Sequence, residues 1–284
     1  MIQFFRTVIL LALLLSGCAG GPVSDPKPQS QASLKLYVFD CGRLRFDSIE
    51  AFSVADDETT IRDLIVPCYV VEHEQGRLLW DGGLASATAN TPGWQGEGMA
   101  MRLDQTLADQ LSDLDLDMAA FDYVAFSHMH FDHCGTANEV RGATLIIQQP
   151  EYEAAFASEP NVPGFEPKLY DQLKTSERKI INGDFDVFGD NRVVILSAPG
   201  HTPGHQVLFV DLAETGPLVL SGDLYHFAIS RKDRRVPSFN VDADMTLASM
   251  EKIETFVVEK GAQFWIQHEL ALFEKLKKSP EFYD

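Results

Sequence analysis

His128-Met129-His130-Phe131-Asp132-His133 places three imidazoles and a carboxylate within six residues. Neither a hydrophobic core nor a solvated surface has a use for that density. Neutral imidazole nitrogens and carboxylate oxygens are what zinc and similar divalent ions take as ligands. The stretch follows Tyr123-Val124-Ala125-Phe126-Ser127, an apolar run that reads as a buried strand, and precedes the turn residue Gly135. The ligands therefore lie where a strand opens into a loop, the usual place for a site on a rigid scaffold.

The same arrangement recurs downstream. Val193-Val194-Ile195-Leu196 runs into Pro199-Gly200-His201-Thr202-Pro203-Gly204-His205. Leu218-Val219-Leu220 runs into Ser221-Gly222-Asp223, and Gln263-Phe264-Trp265-Ile266 into Gln267-His268. Strand-end placement on an α/β scaffold lets distant residues converge on one edge of the sheets. Between these points, a strand is expected from Leu34 and a hairpin over 64–72 and 77–81. Helices are expected through Leu103, Leu107 and Leu111, from Glu151 to Ala157, and from Met245 to about Glu259. The stretch from Pro160 to Glu177 reads as an insertion or lid. No linker splits the chain.

In this order the motifs resemble those of the metallo-β-lactamase superfamily. Within it the chain is most similar to the N-acyl-homoserine lactonases, through Tyr37-Val38-Phe39-Asp40-Cys41-Gly42, Leu79-Trp80-Asp81-Gly82-Gly83, the region 127–135, Ser221-Gly222-Asp223-Leu224-Tyr225-His226 and the ending from His268 to Asp284. The resemblance implies an α/β fold, an αββα sandwich of two mixed β-sheets flanked by helices. It implies two divalent ions, zinc the expected species. His128, His130 and His201 would hold one; Asp132, His133 and His268 the other; Asp223 would bridge them. Two ions sharing a water produce a hydroxide near neutral pH, with Asp132 among the catalytic groups. The implied substrate is a small neutral lactone or ester, with N-acyl-homoserine lactones first. The alternatives are another hydrolase of this fold, acting on an ester, β-lactam, phosphotriester or thioester, and a binding lipoprotein with a structural metal. Structural zinc is closed by four protein ligands, whereas seven candidates for two ions leave positions open, which favours catalysis. Diiron redox relatives carry Glu in the first motif, where this chain has His130.

The lactonases carry a Tyr three residues after the bridging Asp. Here that place is His226, with Tyr225 before it. His226 is expected to assist at the carbonyl or leaving oxygen, and Tyr225 mainly to pack. His205 reads as a support for the ligands and His73 as structural or exposed. Cys134 reads as a small residue beside the site. Cys41 and Cys68 suit either a disulfide or two buried thiols.

The 284 residues carry a net charge of −19, which argues against nucleic acid and anionic membrane surfaces as partners. Their 45% hydrophobic content supports a sizeable core, and no feature fixes an oligomeric state. Arg6 and the apolar run from Val8 to Leu15 form a signal peptide, because eight helical residues span about 12 Å against a hydrocarbon layer of about 30 Å. Leu15-Ser16-Gly17-Cys18 resembles a lipobox. Residues 1–18 are thus expected to end at a lipidated Cys18, 19–33 to be a flexible tether, and 34–284 to form the hydrolase domain, exported and anchored to the outer membrane through that lipid alone. Cys18→Ser is expected to move the protein from the membrane fraction to the soluble periplasm. Equal partition of both forms would refute the anchor.

Overall fold

Alternating apolar residues decide the architecture. In a computed structural model, Met1 and residues 34–284 are described. The expected signal peptide and tether, Met1 apart, lie outside the described residues. Strands β1 (Lys35–Phe46), β2 (Asp63–His73), β3 (Gly76–Trp80), β4 (Met99–Arg102), β5 (Tyr123–Ala125), β6 (Thr144–Gln148) and β7 (Arg178–Ile181) build the first sheet. Strands β8 (Phe185–Asp186), β9 (Val193–Ser197), β10 (Gln206–Leu212), β11 (Gly216–Leu220) and β12 (Gln263–Trp265) build the second. Strand β13 (Phe282–Tyr283) returns to the first sheet beside β1. The orders are β13-β1-β2-β3-β5-β6-β7, with β4 also on β1, and β12-β11-β10-β9-β8. Pairings β3–β5, β5–β6, β6–β7 and β11–β12 are parallel and the others antiparallel, so both sheets are mixed.

Successive strand residues point to opposite faces, and here both faces are buried. Leu36, Val38, Leu78 and Trp80 of the first sheet meet Val193, Ile195, Leu208, Val210, Leu218 and Leu220 of the second in one core. The residues between them point outward. Phe39, Val70, Leu79 and Val124 pack under helices α1 (Leu107–Ser112) and α2 (Gln149–Ala155). Leu196, Val207, Phe209 and Val219 pack on Met250, Ile253 and Val257, which belong to a later helix. Two short helices, α3 (Ala228–Asp233) and α5 (Leu270–Phe273), flank that helix in sequence. The long helix itself, α4 (Ala243–Lys260), is capped by the Asp242 side chain, which accepts from Met245 N, and ends at Gly261 in the left-handed region. This is the αββα sandwich. No helix of the described residues is long and apolar enough to cross a membrane.

Three expectations shift. Leu103 precedes the helix, which starts at Leu107 behind the Thr106 cap. Strands β4, β7, β8 and β13 are two to four residues long and carry too little pattern to read in advance. The stretch read as a lid is a packed wall: Phe165, Tyr170 and Leu173 are buried in the outer core of the first sheet, and Phe165 bridges to His130.

Cys41 and Cys68 form a disulfide between β1 and β2, across a sequence separation of 27. Closing a loop of that size stabilises by about 3 kcal/mol through the unfolded chain. Reductant should therefore lower the melting temperature of the wild type and leave a Cys41→Ala, Cys68→Ala variant unmoved. Equal melting of the wild type in both conditions would show that the bond contributes nothing.

Candidate active site

Each candidate ligand leaves the end of a strand. The loop after β5 carries His128, His130, Asp132 and His133. The loop after β9 carries His201, the turn after β11 carries Asp223, and the residues after β12 carry His268. The sandwich brings them together in two groups, His128 with His130, His201 and Asp223, and Asp132 with His133 and His268. Within each group one donor atom per residue lies within 4.8 Å of the others. Asp223 stands between the groups. Its Oδ2 lies 3.2 Å from His201 Nε2, and its Oδ1 lies 3.1 Å from His133 Nε2 and 2.9 Å from His268 Nε2. One carboxylate oxygen thus faces each group. Asp132 is held less closely, with Oδ2 3.6 Å from His133 Nε2.

The imidazoles fit a divalent cation because their outer nitrogens are already occupied. His201 Nδ1 pairs with Asn240 Oδ1 at 2.9 Å, His268 Nδ1 with the Ile65 carbonyl at 2.7 Å, and His133 Nδ1 with Asp81 Oδ2 at 3.1 Å. Those bonds place the ring protons outside and turn the Nε2 lone pairs inward. His201 Nε2 then faces His128 Nε2 at 3.1 Å and His130 Nδ1 at 3.2 Å, while His133 and His268 face each other at 3.2 Å. Lone pairs aimed at one another repel unless a proton or a cation lies among them. Against the burial that opposes charge, Asp223 raises the pKa of both His133 and His268, so that pair holds positive charge even without a metal. Electrostatics agree. Burial and the neighbouring imidazoles hold His128 and His130 well below the ordinary histidine pKa, so both are neutral donors. Burial opposes charge on Asp223, yet the rings of His133, His268, His226 and His128 outweigh it and hold the carboxylate ionised. Burial likewise opposes charge on His133, but Asp223, Asp132 and Asp81 raise its pKa well above the usual value.

His226 lies at the same centre. Its Nε2 is 2.9 Å from Asp223 Oδ2, its ring stacks on His268 at 5.6 Å, and its buried Nδ1 has no hydrogen-bond partner. Tyr225 points elsewhere, into the layer between the second sheet and α4, with its ring against Phe264. His205 makes no hydrogen bond to the side chain of a candidate ligand. Its Nε2 accepts from Asp223 N at 2.9 Å and its Nδ1 donates to Ala198 O, so it sets the backbone that carries Asp223. Cys134 is buried with Sγ on Met129 O, outside both groups. His73 is buried far along β2, stacked on Phe188 and paired with Asp190.

Several working residues carried no role in the sequence reading. Asp81 is fully buried at a positive φ of 60°. Its Oδ1 accepts from Ser127 N at 2.6 Å, and its Oδ2 takes both His133 Nδ1 and Gln267 Nε2. It thus ties the first motif to the end of β12 in the other sheet. Its signal was the one used for the ligands: an acid at the end of a strand, followed by Gly82-Gly83. Asn240 and Ser127 gave no comparable signal.

A cavity of about 250 Å³ opens onto the cluster. Leu44, Phe46, Phe52, Phe131 and Phe239 form apolar walls, and Asp132, Asp223, His226 and His268 form the floor. Pro163 and Gly164 of the packed wall close one side. A second, more polar cavity of about 520 Å³ shares His226 and His268 and reaches Arg45, Arg62 and Glu274.

Comparison with known proteins agrees with this arrangement. Residues 61–260 match the metallo-β-lactamase superfamily. The N-acyl homoserine lactonase AttM of Rhizobium radiobacter is 30% identical over 263 residues, covering 88% of this chain and 98% of the relative. The N-acyl homoserine lactonase AiiA of Bacillus thuringiensis subsp. kurstaki is 28% identical, covering 87% and 98%. Among solved structures, an N-acyl homoserine lactone hydrolase with the product N-hexanoyl-L-homoserine at its catalytic metal centre superposes with a TM-score of 0.76 at 25% identity, over 88% of this chain and 99% of that one. With its sandwich, its strand-end ligands and these likenesses, the chain belongs to the metallo-β-lactamase superfamily and is a metal-dependent hydrolase.

Proposed function

We propose that this chain opens the ring of N-acyl-homoserine lactones. The observation that carries the reading is the apolar cavity that ends on the ligand cluster: it suits a fatty acyl chain and puts the polar ring over the donors. The similarity to lactonases over almost their full length supports it. His128, His130 and His201 would hold one divalent ion and Asp132, His133 and His268 a second, with Asp223 shared, and zinc is the expected metal. Bound there, such ions supply a Lewis acid and bring the pKa of a water toward neutrality.

The chain's own residues do the rest by placement. Phe46, Phe52, Phe131 and Phe239 exclude water around the acyl chain. The lone pairs of Asp223 divide between the two groups and fix their separation. His226 borders both the cavity and Asp223, and burial lowers its pKa, so its neutral ring can donate an N–H hydrogen bond to the oxygen that leaves as the ring opens. Tyr225, turned away, packs. We also place the enzyme outside the cytoplasm on a lipid anchor at Cys18. The Cys41–Cys68 disulfide supports that reading, since such bonds persist in oxidising compartments.

Purified domain should turn over N-hexanoyl- and N-decanoyl-homoserine lactone faster than a β-lactam, a phosphotriester or a thioester, as read by proton release and product mass. A phosphotriester or β-lactam preferred over every lactone would replace the reading. Elemental analysis should approach two ions per chain, and chelation should abolish turnover until metal is returned. One ion at full activity would remove the shared carboxylate from the mechanism.

Substitutions separate the roles. Asp223→Asn keeps the shape but weakens the link to both groups, so activity and metal content should both fall, with the fold kept. His226→Ala should reduce turnover about 10²-fold, the size seen when one placed hydrogen-bond donor is removed. Tyr225→Phe should cost little, and the reverse ranking would transfer the role to Tyr225.

A further inference from the structure

Glu151 is a buried carboxylate, 2% exposed, in the first turn of α2, and the mechanism above does not use it. Its two oxygens accept from two different loops. Met129 N donates to Oε1 at 2.8 Å, and Gly204 N donates to Oε2 at 2.8 Å. Met129 lies between His128 and His130. Gly204 lies between His201 and His205. One side chain therefore joins the loop that carries two ligands of the first group to the loop that carries the third. Burial raises the Glu151 pKa, and the two backbone donors oppose that rise by favouring the carboxylate form; hydrogen bonds to such an acceptor are shorter and stronger than neutral ones.

The packing around this joint is close. A Cβ added at Gly204 would stand 2.6 Å from Glu151 N and Cβ and 2.9 Å from Gln148 Cβ. A side chain at position 204 would part the loop from the helix. The second glycine of Gly200-His201-Thr202-Pro203-Gly204-His205 is thus the counterpart of Glu151, and its place in the motif has a cause outside the ligands themselves. Asp81 makes the corresponding joint for the second group, through His133 and Gln267.

We infer that Glu151 is a positioning residue of the metal centre: it sets the distance between the His128–His130 pair and His201, and with it the retention of the ion those residues hold with Asp223. This rests on the two-ion reading above. The two groups predict separate effects, because Glu151 holds the backbone between His128 and His130 and the loop of His201, whereas Asp132 and His133 lie further along the first loop and His268 on a third.

The test follows metal loss from metal-loaded wild type, Glu151→Gln, Glu151→Asp and Asp81→Asn into excess chelator, by elemental analysis at intervals, beside the melting temperature of each metal-free protein. In Glu151→Gln an amide NH₂ faces a backbone N–H, so one equivalent should leave about 10- to 100-fold more readily, the usual size for groups that orient ligands. The other equivalent should leave at the wild-type rate. Glu151→Asp keeps the charge but reaches one loop less well, and should fall between the two. Asp81→Asn should loosen the opposite equivalent. Metal-free melting of the Glu151 variants should stay near the wild type. Wild-type retention in both Glu151 variants would overturn the inference and leave the proposed function standing. So would loss of both equivalents together in step with lowered metal-free melting, which is the mark of a merely structural role. A wild type that holds no ion would overturn the proposed function and this inference with it.

Discussion

Five ring nitrogens in this protein crowd together, three in one group and two in the other, at about 3 Å. That arrangement opposes itself, and the remaining structure exists to hold it. Three of the five rings, His201, His268 and His133, are fixed from outside by groups on different elements: Asn240 just before α4, the Ile65 carbonyl on β2, and Asp81 after β3. No single loop could supply these supports. The two sheets must close on their apolar faces before the donors converge, so packing of Leu208, Trp80 and their neighbours is a condition for the chemistry as well as for stability.

The candidate ligands were legible in the sequence because each sits at a change of pattern, where an apolar run ends and a residue of metal-binding type follows, and the fold brings them together. Sandwich topology came from the resemblance of the ordered motifs to the metallo-β-lactamase superfamily, with which the apolar runs are consistent. The positioning residues were harder to read. Asp81 and Glu151 are acids of ordinary appearance, and their function comes from burial and from the backbone groups that converge on them. Asn240 lies in a loop without any pattern. The shortest strands were also invisible, since β13 and β8 are two residues long and owe their conformation to neighbours rather than to their own alternation. The segment from Pro160 to Glu177 misled for a related reason: its prolines and glycines suggest a surface flap, while Phe165, Tyr170 and Leu173 anchor it against the first sheet.

The contrast between Tyr225 and His226 shows what one residue of register does. Adjacent positions leave the turn after β11 in opposite directions. His226 joins the cluster and rests on Phe52, whereas Tyr225 enters the apolar layer beneath α4. Sequence alone can nominate both, but the direction of the turn separates a group that lines the cavity from one that fills space.

Gly164 presses directly on His130, where an added Cβ would stand 2.7 Å from the ring at a φ of 85°. That side of the cavity has no room for variation, because any side chain there displaces a ligand. The aromatic side is built from Leu44, Phe46, Phe52 and Phe239, none of which offers a ligand atom. Adaptation to longer, shorter or bulkier substrates is therefore channelled. Drift can remodel the aromatic side one ring at a time, while the glycine side stays fixed as the template against which every new preference is shaped.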